Sequence, residues 1–242
     1  MDIINNFDFN SYSKLFIVSV AIGASYYPLK SVLNRYSNFE KLKDDKKMYV
    51  TKNIVKSVIL APLSIILSRQ LFNLVLERNI NQLFFRNYGA IYVANDLAGL
   101  LFVRNLPNST KLHHTSTILL YTILCAYDIN KNSICRMMAV YTIFSCYPFL
   151  VNTYLGIRYL KDKDTKIDKY DYNMNSFIDI TRRTSYYTYV MSCSLNWSAH
   201  AFFFARLTYN RNLTYLDMVY SAILYPIVRD DLILMDWLKK NK

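Results

Sequence analysis

Two long stretches of this chain, residues 137–157 and 184–205, carry no charged side chain. At about 1.5 Å of rise per residue, each is long enough to cross a ~30 Å hydrocarbon core as a helix. A soluble core helix brings charge back to its outer face every three or four residues. These runs do not, and they point to an all-helical, polytopic membrane bundle. The mean hydropathy of +0.08 is low for such a protein. The 22 tyrosines and the charged connecting segments account for it, since Tyr is at home at bilayer interfaces.

Hydropathy and charge gaps give about seven spans, near residues 15–29, 53–76, 85–103, 112–127, 137–157, 184–205 and 213–228. The second is interrupted by Lys56 and Arg69, the third carries Asp96 at its middle, and the seventh contains Asp217. The first, fourth and seventh are short. The 13 N-terminal residues hold Asp2 and Asp8 where a signal peptide has a basic region, so the first apolar segment is expected to remain as a span. With no internal repeat or linker in view, residues 1–242 are expected to form one membrane domain.

Basic residues concentrate between the apolar runs. Lys30, Arg35, Lys41, Lys43, Lys46, Lys47, Lys52 and Lys56 lie between the first two spans; Arg158, Lys161, Lys163, Lys166, Lys169, Arg182 and Arg183 lie between the fifth and sixth. With seven spans these segments share a side with Arg104, Lys111 and the basic C-terminal tail. The positive-inside rule then sets the N-terminus outside or lumenal and the C-terminus cytosolic. The formal net charge of +12 fits an anionic membrane surface better than nucleic acid, because its carriers flank apolar segments. Of the Asn-x-Ser/Thr sequons at Asn108, Asn196 and Asn212, only Asn212 falls in a lumenal loop of this topology.

Ionisable groups at membrane depth are expensive and are functional candidates by default. Asp96 either orients a histidine or is a hydrogen-bonded structural carboxyl. His113 and His114 open the fourth span, and imidazole can take and return a proton near neutral pH, which suits general base work in acyl transfer. Adjacent helical residues diverge by about 100°, so one ring is expected to face the bundle and the other to pack beside it. His200, in the sixth span, is expected to be structural. Cys125, Cys135, Cys146 and Cys193 lack CxxC spacing and are expected to be buried apolar residues, not metal ligands or a disulfide framework. There is no GxSxG, HExxH, P-loop or Gly-rich dinucleotide turn. No metal and no resident cofactor is expected.

Four ordered blocks across about 85–206 resemble the TLC-domain family, the membrane domain of translocating-chain-associating proteins and ceramide synthases. Tyr92-Val-Ala-Asn-Asp96 is similar to its Tyr-x-x-x-Asp span, and Asn105-Leu-Pro-Asn-Ser-Thr-Lys-Leu-His113-His114 to its loop and paired His. Tyr147-Pro-Phe-Leu-Val-Asn152 is similar to the Pro-Phe-Leu-Asn block of the less characterised branch, and Asn196 with Phe202-Phe203-Phe204-Ala-Arg206 to the Asn…Phe-Phe-x-x-Arg block. The paired acidic residues that ceramide synthases carry in the following span are missing, because residues 137–157 contain no Asp or Glu. The resemblance implies a protein of the endoplasmic reticulum or another internal membrane that works on membrane lipid. His113, His114 and Asp96 are its candidate catalytic residues; Tyr92, Asn95, Asn152, Asn196 and Arg206 are candidate lipid-binding residues. Three functions are implied: lipid binding or homeostasis, N-acyl transfer with acyl-CoA as co-substrate, and membrane-protein trafficking or translocation.

Overall fold

The computed structural model describes residues 9–76, 78–160, 169–210 and 213–240, with the side chains of 169–173 left out. Lys161, Lys163, Lys166, the Lys169 side chain and Asn212 therefore lie outside the described residues. Among the described residues every regular element is helical. In chain order these are α1 (Phe9–Leu33), α2 (Ser37–Glu40), α3 (Asp44–Ser68), α4 (Leu71–Val75), α5 (Gln82–Phe102), α6 (Asn108–Ala126), α7 (Ser133–Cys146) and α8 (Phe149–Ile157). A 3-10 turn, Arg158–Leu160, precedes α9 (Lys169–Tyr209) and α10 (Tyr215–Lys240).

The helix starts are written locally. Asn81 accepts a hydrogen bond from the Phe84 amide at 3.1 Å to begin α5, and Asn132 accepts one from the Ile134 amide at 2.9 Å to begin α7. Asp217 Oδ2 accepts from the Thr214 amide at 2.5 Å and from the Thr214 hydroxyl at 2.6 Å at the start of α10. Asp44 and Asp45 lie in the first turn of α3, where the helix dipole favours negative charge. Pro148 breaks the run 137–157: α7 ends before it and α8 leaves at a bend of 41°.

The helices pack around α7, whose residues are buried from Ile134 to Phe144. Two glycines set the closest approaches. A Cβ on Gly23 of α1 would overlap the Phe102 ring at the end of α5. A Cβ on Gly156 of α8 would stand 2.6 Å from Ile54 Cγ1 and 3.3 Å from the Val50 carbonyl of α3. Large apolar side chains also cover the outside, among them Phe16 and Ile17 on α1, Val58 and Ile65 on α3, Phe177 and Met191 on α9, and Met218 and Tyr225 on α10. An apolar exterior of this extent marks a surface made for lipid or a partner rather than for water.

By length and composition α1 and α3 qualify to cross a membrane, and the bent pair α7–α8 makes a third if it is one span. Helices α5, α6, α9 and α10 coincide with the expected third, fourth, sixth and seventh spans, but among the described residues they are too polar or too charged to qualify on the same terms. The 184–205 run is the clearest case: it is free of charge yet diluted by Ser, Thr, Tyr, Asn and His. Lys52 also departs from expectation. Read from sequence as part of a basic connecting segment, it is buried inside α3, as is Lys56, which interrupts the expected second span.

Candidate functional site

α3 presents Lys52 and Lys56 one turn apart on the same face, at the i, i+4 spacing. Lys56 Nζ donates to Asp96 Oδ1 on α5 at 2.6 Å and lies 5.9 Å from the centre of the Tyr92 ring. Asp96 is wholly enclosed. Its second oxygen accepts from Thr117 Oγ1 on α6 at 2.8 Å, and its first lies 3.0 Å from His114 Nδ1. That last contact is a close approach of charge without hydrogen-bond alignment. Three helices therefore converge on one carboxylate.

His114 Nε2 lies 3.1 Å from Lys52 Nζ. With Lys52 as the donor, Nε2 accepts and the ring proton sits on Nδ1, facing Asp96. The Lys52 stem runs over Gly99 of α5, where a Cβ would stand 2.9 Å from Lys52 Cε. A buried ion pair such as Lys56–Asp96 is a poor device for stability, because desolvating each partner costs about several kcal/mol and a packed apolar pair is often as stable. Its presence at this depth points to function.

His113, one residue earlier, meets a different helix. Its Nδ1 lies 3.3 Å from Asp230 Oδ2 on α10, and its Nε2 lies 3.5 Å from the Tyr141 hydroxyl on α7. The two imidazoles are perpendicular, with centroids 5.7 Å apart. Both line one cavity of about 360 Å³, within the ~300–1,000 Å³ range of small-molecule pockets. The divergence of neighbouring side chains does not separate them, because the cavity wraps around this end of α6 and α10 supplies a second carboxylate. Asp231, beside Asp230, also lines the cavity and accepts from Tyr189 at 2.8 Å. An acidic pair is thus present at the cavity, on α10, although the span after the histidines has none.

Tyr92, His113, His114, Asn152 and Asn196 all line this cavity, with Asp96 behind the lysines and His114. The carboxamide oxygen of Asn196 is buried without a hydrogen-bond partner. The other two expected residues fall elsewhere. Asn95 is buried but donates to its own helix, to the Ile91 carbonyl at 2.8 Å, and does not line the cavity. Arg206 is exposed on the last turn of α9, roughly 15 Å along the helix from Asn196. Sequence reasoning missed Lys52, Lys56, Tyr141, Tyr189, Asp230 and Asp231. The lysine spacing around Asn53 within an apolar segment was the available signal for the first two.

One ligand atom each from Asp96, His113 and His114 lies within 4.8 Å of the others, close enough to share a cation. Lys56 and Lys52 already bring positive charge to the carboxylate and to one ring nitrogen. Compared with family models, with curated proteins and with solved structures, the chain matches none.

Proposed function

We propose that this chain is a multi-pass membrane protein that handles lipid, with a TLC-type bundle of about seven spans whose cavity receives the polar end of an amphiphile. One observation carries the reading: a pair of histidines, His114 buried and His113 half-buried, each beside a carboxylate, shares a cavity wall with apolar side chains such as Phe144, Val151 and Leu155. Polar and apolar side chains share the lining, as an amphiphile needs. The TLC-like blocks support it as well, since Tyr92, the His pair, Asn152 and Asn196 come from all four of them and meet at this cavity.

The cavity lies among the start of α6, the end of α8 and the second half of α10, with Pro107, Arg158 and Trp237 in its lining. In the proposed topology that end is cytosolic and the membrane is the endoplasmic reticulum or another internal one. The support is the remaining basic set Lys30, Arg35, Lys41, Lys43, Lys46 and Lys47, now without Lys52 and Lys56.

Acyl transfer is the second reading, favoured by His113. Its Nε2 lies 3.5 Å from the Tyr141 hydroxyl, while Asp230 stands at Nδ1. A base so oriented would take the proton of an amine as its nitrogen attacks a thioester carbonyl; the C–S bond breaks, and the thiolate leaves and is protonated. The test is an assay in microsomes with a panel of acyl-CoAs and amine acceptors, read by lipid mass spectrometry. A new N-acyl product that disappears in the His113→Ala/His114→Ala double variant establishes catalysis. No product from folded protein, with a selectively retained lipid, leaves lipid binding as the function.

A further inference from the structure

Lys52 has a chemical position that neither lipid binding nor acyl transfer uses. Its neighbour Lys56 is neutralised by Asp96, whereas among the described residues no carboxylate forms an ion pair with Lys52. Its Nζ instead meets an imidazole nitrogen at 3.1 Å, and the opposite nitrogen of that imidazole lies 3.0 Å from Asp96 Oδ1. Carboxylate, imidazole and amine therefore stand in sequence, as they do where a weak nucleophile is activated by an oriented base. The side chain is 3% exposed and lines the cavity.

We propose that Lys52 is a covalent nucleophile that forms an imine with the carbonyl carbon of a long-chain aldehyde or ketone bound in this cavity. The proposal rests on the lipid-handling reading, because the cavity is the same one. Lys52 reacts as the free amine, held 3.1 Å from His114 Nε2. The Nζ lone pair attacks the carbonyl carbon, and the C=O π pair moves to oxygen, which takes up a proton. The carbinolamine then loses its oxygen as water and Nζ its second proton, giving C=N. Aldehyde and lysine become imine and water, and nothing is oxidised or reduced.

The reversibility of that bond selects the substrate class. A thioester would leave Lys52 as an amide, which water cleaves too slowly for the lysine to be regenerated. An imine hydrolyses back to the free amine. Tyr141 and the His113 that it approaches, on the same cavity, are the groups available to protonate the carbonyl oxygen. The apolar wall formed by Phe144, Val151, Leu155 and Leu234 takes the chain.

The experiment uses the purified full-length chain in detergent, given limiting hexadecanal with sodium cyanoborohydride, and then peptide mapping. The expected result is a reduced hexadecyl adduct on Lys52 at least tenfold more abundant than on the exposed Lys41 and Lys43, suppressed by excess hexadecanol and lost in Lys52→Met. Adducts on exposed lysines with Lys52 unmodified overturn the proposal. Retention of hexadecanol, measured in parallel, separates the two ideas. If the alcohol is retained and Lys52 stays unlabelled, imine chemistry fails and lipid handling stands; if neither is seen, both fail.

Discussion

The chain holds its three histidines in two settings that differ in what they leave unspent. His200 is bonded at both nitrogens: Nδ1 donates to the Asn196 carbonyl at 2.8 Å, and Nε2 meets the Tyr220 hydroxyl at 2.6 Å. Tyr220 also stacks on the ring, 6.0 Å away. His200 is not part of the lining of the cavity that the other two share. His114 is buried and His113 half-buried, yet neither Nδ1 has an aligned hydrogen bond, a carboxylate stands at each ring, and both line the cavity. His114 and His200 are both buried, so burial does not mark function here. Unspent bonding capacity turned toward a cavity does.

The largest effect comes from the cluster itself. Asp96→Leu strands the Lys56 ammonium and the His114 ring without their anion, and it is expected to cost about 3–5 kcal/mol, read as thermal unfolding in detergent. Pairing it with Lys56→Met should recover most of that loss, since an apolar pair replaces the buried ions. A double variant as unstable as the single one would break the charge account.

Gly156→Leu comes next. It forces side chain into the α3–α8 contact, where even a Cβ stands 2.6 Å from Ile54, with an expected loss of about 1–3 kcal/mol. Because α3 carries Lys52 and Lys56, lipid retention should fall with it. Tyr220→Phe leaves His200 Nε2 without its partner and is expected to cost about 1–3 kcal/mol, while leaving lipid retention as in the wild type. A drop in retention beyond that of unfolding would put His200 back among the functional residues.

The sequence made the helices and the His pair legible, and it hid the lysines. Charge-free runs and Pro148 marked α7, α8 and much of α9, because hydropathy and proline act locally. Lys52 and Lys56 carry the opposite local signal: charge beside other charge reads as a solvated segment. Only the partner Asp96, brought from another helix, makes their burial tolerable, and no local pattern encodes that meeting. Asp230 and Asp231 were hidden in the same way, standing where a span seemed to end. The seven-span reading outran hydropathy because α5, α6, α9 and α10 carry the polar and charged groups that the bundle turns inward, Asp96, His114, Asn196, His200 and Asp231 among them.

The most direct measurement is lipid mass spectrometry on the purified full-length protein beside Leu155→Trp, which fills the cavity from its apolar wall and leaves every ionisable group in place. The account predicts one lipid class enriched over the host membrane in the wild type and lost in the variant, with both proteins folded. Equal lipid profiles in the two would contradict it, and the buried cluster would then serve the fold alone.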